Sequence, residues 1–178
     1  TDRHSFKIEF DYNEDQQYCE GLDKLVLNNL MSDTTYMKEY LSYDLFHYMG
    51  VPSPKCSFAN IAINGKAWGL YTAIEGIEEA FAKRNFGFRY GELYKPETPK
   101  LDTERISSSY GAGLIYTNDY ISSYSDVFDN AVFEPNEEDY ASIIEAIKNL
   151  NSGTDLKKYI DVDECLRYIA VNTVLVNV

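Results

Sequence analysis

Apolar and polar positions alternate in "SFKIEF": Phe6, Ile8 and Phe10 fall on one side, Lys7 and Glu9 on the other, a pattern that predicts a half-buried strand. "DKLVLNN" (residues 23–29) predicts a second strand, joined to the first by the polar "DYNEDQQYCEG". The period then lengthens. In "SDTTYMKEYLSYDLFHYMGVP", Asp33 is placed to cap a helix, Gly50 falls where a helix-ending glycine belongs, and Pro52 blocks continuation. Met37, Leu41, Leu45 and Tyr48 share one face of that helix, while Glu39, Tyr43 and Phe46 share nearly the opposite one. Two apolar faces predict a helix wedged between layers.

Two alternating runs then flank Asn64-Gly65 in "SFANIAINGKAWGLYTAIE", which predicts a hairpin closed by a two-residue type I′ turn. Ile61 and Ile63 lie on one side of it, and residues 70–74 continue the returning strand. "GIEEAFAKRNFG" predicts a short helix ending at Gly87. Residues 90–135, rich in Tyr, Ser, Gly, Asp and Pro, read as loops and short extended pieces. Two helices follow. Asn136 caps the first, whose stripe is Tyr140, Ile143, Ile144, Ile147 and Leu150; a capping box of Asp161 and Glu164 opens the second. Its "CLRYIAVNTVLVNV" is apolar nearly all round, so a central, buried helix is expected. Strands followed by helices place the chain in the α+β class.

Composition narrows the partners. A net charge of −13 opposes binding to nucleic acid and to anionic membrane surfaces, and favours cationic company. No stretch approaches the roughly 20 apolar residues of a membrane-spanning helix, so no membrane insertion is expected, and the chain opens without a signal-peptide pattern. The 16 Tyr suit first a Tyr-rich core, with a surface facing proteins or polysaccharides as the alternative. Cys19, Cys56 and Cys165 form no C-x-x-C pair, and with only His4 and His47 beside them a structural zinc site is poorly supplied.

Several short motifs fail on inspection. Asp11, Asn13 and Asp15 match the start of a Ca²⁺ loop, but Gln16 replaces its glycine and Leu22 its closing glutamate. Gly111-x-Gly113 lacks the third glycine of a dinucleotide loop, where Tyr116 stands. "NFG" at residues 85–87 has Asn in place of the metal-binding Asp of a kinase. No G-x-S-x-G elbow occurs.

Six segments in order do carry a signal: "FKIEF", "KLVLNN", "DTTYMKEYLSYDLFHYMGVPSP", "IAINGKAWGLYTAIEGIEEAF", "GELYKP" and "IDVDECLRYIAVNTVLVN". Together, from about Phe6 to Val178, they resemble the spore coat protein H (CotH) kinase-like family. The resemblance implies an atypical protein-kinase-like fold, with an N-lobe over residues 1–76 and an incomplete helical C-lobe over 77–178. It implies binding of ATP and Mg by the intact domain, and phosphorylation of Ser or Thr in coat or cell-surface proteins. Kinase-like lobes hold the phosphates with a strand lysine paired to a helix glutamate; Lys7 and Glu39 are the matching candidates, Glu75 lies where a hinge would pass the adenine, and Lys95 reads as a solvated lysine, with a phosphate contact as the alternative. The family's catalytic and metal-binding carboxylates are expected beyond Val178, so no catalytic residue is assigned and the chain as given is expected to be inactive. No glycine-rich phosphate loop precedes Lys7. A spore-coat or extracellular surface location follows from the same resemblance. Two other readings stay open: a non-catalytic, pseudokinase-like assembly module, and a secreted acidic α+β domain that tolerates Ca²⁺.

Overall fold

A computed structural model describes residues 4–14, 17–31, 33–96 and 114–176. The chain is α+β and gathers into two compact units, one of Thr1–Tyr90 with Asp163–Val178, the other of Gly91–Val162.

The first unit is built on strands β1 (Phe6–Glu9), β2 (Lys24–Asn28), β3 (Cys56–Ile63) and β4 (Lys66–Glu75), all antiparallel in the order β1-β2-β4-β3. Residues directly opposite one another share a face. The register therefore puts Phe6, Leu27, Ala73 and Ser57 on one side, and Lys7, Val26, Ile74 and Cys56 on the other. On the first side Tyr71, 0 % exposed, sets its ring 5.9 Å from that of Phe6 and donates its hydroxyl to the His4 carbonyl at 3.0 Å. Asn64 and Gly65 both have positive φ, 51° and 75°, the type I′ turn the sequence predicts. Ile61 faces Gly69 while Ala62 faces Ala67, so Trp68 is an extra residue and the bulge lies in β4.

Helix α1 (Lys38–Tyr48) crosses the second side. Asp33 serves it from outside the helix proper: its carboxylate accepts from the Lys38 amide at 2.7 Å and from the Thr35 amide and hydroxyl at 2.9 and 2.6 Å. The Thr35 hydroxyl, with those amides, holds the Asp33 carboxyl below the ordinary aspartate range. At the other end Gly50 (φ 69°) donates to His47 and Val51 to Phe46, the Schellman closure that requires a left-handed residue. The wedge expected from the two apolar faces is not formed. Glu39 and Tyr40 face the sheet, whereas Met37, Leu41 and Tyr48 are exposed, Tyr48 by 85 %. Helix α2 (Glu79–Phe86), which follows β4, also belongs to this unit and buries Ala80, Phe81 and Ala82.

The second unit holds a 3₁₀ turn (Ile121–Tyr124) and helices α3 (Ser125–Phe128), α4 (Glu137–Ser152) and α5 (Leu156–Tyr159). Its core is Tyr124, Val127, Phe128, Ile144 and Ile147, with Tyr94, Tyr116, Tyr140 and Ile143 packed around it. The predicted α4 stripe packs as expected from Tyr140 to Ile147, and only Leu150 stays exposed. Asn136 and Asp139 form a capping box at its start. Here the tyrosines are core residues: the buried Tyr124 hydroxyl donates to the Asn118 carbonyl at 2.7 Å and accepts from the Thr117 amide at 3.1 Å.

Helix α6 (Val162–Val174) corrects the expectation of a buried helix. Only Val171 and Asn172 are buried, while Leu166, Tyr168, Ile169 and Val174 are each more than half exposed. An apolar surface all round records what a helix favours beside it, and the described residues cover one narrow side. The Gly111–Gly113 pair, Asp15, Gln16 and much of the Ser/Tyr-rich middle lie outside the described residues.

Candidate functional site

Glu39 stands in the first turn of α1, where a carboxylate is favoured by the helix dipole. Its Oε1 accepts from Asn28 Nδ2 of β2 at 2.6 Å, and its Oε2 accepts a very short hydrogen bond from the Thr72 hydroxyl of β4. Asn28 and Thr72 are opposite one another, so the carboxylate bridges two central strands. Among the described residues both hydrogen-bond donors on it are neutral. Its charge acts on its neighbours: burial and then Glu39 push the Cys56 thiol up to about 11, and raise the Tyr43 phenol in the same order.

Lys7 shares this face of the sheet, in the row of Val26, Ile74 and Cys56. That row is two residues, about 7 Å, along the strands from the Asn28–Thr72 row. Lys7 is exposed and makes no ion pair among the described residues. The structure thus brings Lys7 and Glu39 to one face without pairing them; the strand residues that meet Glu39 are Asn28 and Thr72. The face of Asn28 was readable, because alternation along β2 turns it away from the side of Leu25 and Leu27.

Beside Glu39 opens a cavity of about 810 Å³, lined among others by Tyr43, Phe46, Pro52, Ile77, Tyr168 and Asn172. All of these belong to the first unit. The Phe46 and Tyr168 rings stack with centroids 5.5 Å apart.

Glu75 sits on the other side of the sheet, opposite Leu25, and is 3 % exposed. Arg84 of α2 holds it with a two-pronged pair, Nε to Oε1 at 3.1 Å and a second, very short contact to Oε2. The Lys55 amide donates to the same carboxylate at 2.9 Å, and Arg84 also reaches the Ser53 carbonyl at 3.0 Å. Glu75 therefore ties β4 to the start of β3 and to α2. The amides of Glu75 and Gly76 donate to Lys55 and Lys24 carbonyls. A Cβ on Gly76 would lie 2.6 Å from that of Lys24, so this close approach needs glycine. Lys24 pairs with Glu78 at 2.8 Å and Glu9 at 3.3 Å; burial works against its charge, and the two carboxylates more than offset it, leaving the ammonium pKa raised.

Asp23, 2 % exposed, accepts from the Ala80 amide at 2.7 Å in the first turn of α2, while its Oδ1 has no partner. Burial raises its pKa despite the amide bonds, which lower it. Lys95 lies in the second unit, its amide donating to the Asn130 carbonyl at 3.1 Å. Among the described residues no group of three His, Cys, Asp or Glu gathers to hold a metal, and no helix is long and apolar enough to cross a membrane.

Three relatives are similar to parts of the chain. "Inner spore coat protein H" of Bacillus subtilis (strain 168) is 38 % identical over 65 residues, which is 36 % of this chain and 18 % of that protein. An "Inner spore coat protein H-like protein" of the same strain is 35 % identical over 76 residues, 43 % of this chain and 24 % of the relative. "Invasin CotH3" of Rhizopus delemar is 22 % identical over 153 residues, 82 % of this chain and 24 % of the relative. The matched regions thus span a quarter or less of each of these proteins. The family described as "CotH kinase protein" matches residues 1–178 in full, and the chain belongs to that CotH family.

Proposed function

We propose that this chain is the nucleotide-clamping part of an atypical, kinase-like CotH domain. In this reading the whole protein transfers phosphate from ATP to Ser or Thr of coat or surface proteins. The observation that carries it is the shared sheet face: a free ammonium at Lys7, and a carboxylate at Glu39 held rigidly by Asn28 and Thr72 beside an 810 Å³ cavity. Phosphoryl transfer depends on positioning and charge neutralisation, and both begin with such a pair of groups. The fit to ATP is partial: Lys7 offers a cation on the Glu39 face of the sheet, and the cavity opens beside Glu39 without Lys7 in its lining. Among the described residues no three His, Cys, Asp or Glu side chains gather to seat Mg²⁺. The spore-coat and invasin names of the relatives support a place on a spore coat or cell surface.

The alternative is a non-catalytic binding module, favoured by the neutral Asn28 where a kinase lobe would have its lysine. Thermal unfolding with and without millimolar Mg·ATP separates the two. The kinase-like reading expects wild-type protection that Lys7→Ala removes. No protection of wild type, or equal protection of both, sinks it and leaves the binding module.

A further inference from the structure

The charges of this chain are unevenly placed. Against a net −13, residues 45–74 contain no Asp or Glu, and include Lys55, Lys66 and His47. That stretch contains β3 and β4 up to Ile74, leaving Glu75 as the acidic residue that closes β4, with one lysine just before β3 and one just after the turn.

β3 is also an edge strand, neighboured only by β4 in the sheet. Its eight residues, CSFANIAI, contain neither charge nor proline, the devices that usually guard an edge. The bulge opposite Ile61 and Ala62 sits in β4, so the free side of β3 stays regular over residues 56–61.

The ladder identifies which groups face outward. The Glu75 amide donates to Lys55, and antiparallel pairs alternate between bonded and non-bonded. Ser57, Ala59 and Ile61 therefore bond inward to β4, while the amides and carbonyls of Cys56, Phe58 and Asn60 point away from the sheet. Among the described residues no hydrogen bond claims them. Beside them Phe58, stacked 5.1 Å from Tyr40, gives an apolar shelf for the side chains of an added strand. Neither flanking lysine is in an ion pair among the described residues.

We propose that the free edge of β3 is a strand-addition site for an extended acidic segment of a partner protein. Main-chain bonds to Cys56, Phe58 and Asn60 supply the register, and Lys55 and Lys66 select acidic residues at the two ends. Asp44 shares a small hollow with Lys55, and the Glu75 carboxylate accepts from the Lys55 amide at 2.9 Å, so Lys66 at the exposed turn carries most of the selectivity. The wider negative charge of the chain is screened beyond about 8 Å at physiological salt, so the local lysines decide.

The test uses three fluorescent probe peptides of alternating Val and Thr: one flanked by Asp, one flanked by Lys, and one Asp-flanked but N-methylated at alternate positions. The Asp-flanked probe is expected to bind roughly tenfold or more tighter than the Lys-flanked one. N-methylation is expected to abolish binding, and Lys66→Glu to remove the preference. Asn60→Pro deletes one outward amide without touching a bond to β4, a substitution that edge strands tolerate, so it should weaken binding in a folded protein. Absence of binding, equal affinity for both charges, or an unaffected Asn60→Pro would overturn the proposal. So would concentration-dependent dimers in sedimentation that Asn60→Pro abolishes, which would assign the edge to a second copy.

Discussion

Glu39 and Glu75 are two glutamates of one small sheet, on opposite sides of it, and they are held in opposite ways. Glu75 is almost fully buried and is neutralised by the Arg84 guanidinium, with the Lys55 amide completing its bonds. Glu39 is half-buried, bonded to the neutral Asn28 and Thr72, and lines a cavity. A buried carboxylate with a bidentate cation has no capacity left and acts as a strut. A fixed carboxylate with no cation keeps capacity for a charged ligand or for the lysine on its own face. Both glutamates are candidates from the family resemblance, and the difference in their partners separates scaffold from site.

The largest expected effect breaks the strut. Arg84→Ala leaves the Glu75 charge buried and unpaired, and should cost about 3–5 kcal/mol in urea unfolding. A loss under about 1 kcal/mol would remove Glu75 from the scaffold. On the other side, Thr72→Val deletes one of two donors to Glu39 at a position with no exposure, and should cost about 1–2 kcal/mol. Asp23, beneath α2, gives a smaller and pH-dependent effect. Its folded pKa is raised, so the stability it contributes is present below the ordinary aspartate value and is lost as pH rises through the folded one. Asp23→Asn keeps an acceptor for the Ala80 amide without the charge, and should therefore gain on wild type between pH 3 and pH 7 in thermal unfolding. A loss over that interval would contradict the assignment. Smallest of all, Lys7→Ala should change stability by no more than about 0.5 kcal/mol, because the side chain is exposed and unpaired.

Local chemistry was legible in the chain. The alternation of residues 6–10, the Asn64-Gly65 turn, the Gly50 closure of α1 and the Asn136 cap each depend on neighbours a few residues away, and each stands where the pattern put it. What depended on distant partners was not legible. Asp33 caps α1 from five residues before Lys38, because a tight turn through Thr35 intervenes. The two apolar faces of α1 looked equivalent, and only the sheet decides that the Glu39 side is the inner one. α6 reads as buried from its own residues, yet burial depends on what packs against it. At the site, the face of Lys7 followed from alternation, whereas the contact of Glu39 with Asn28 required the strand register and the helix position together.

The contrast between the two glutamates can be read in one spectrum. The Asn28 side-chain amide reports on Glu39, and the Arg84 Nε–H reports on Glu75. In ¹⁵N-resolved NMR, titration with Mg·ATP should move the Asn28 amide signals in a saturable way and leave the Arg84 signal in place. An Arg84 signal that moves while Asn28 stays still, or no change in either, would contradict the account that the nucleotide is clamped on the Glu39 face.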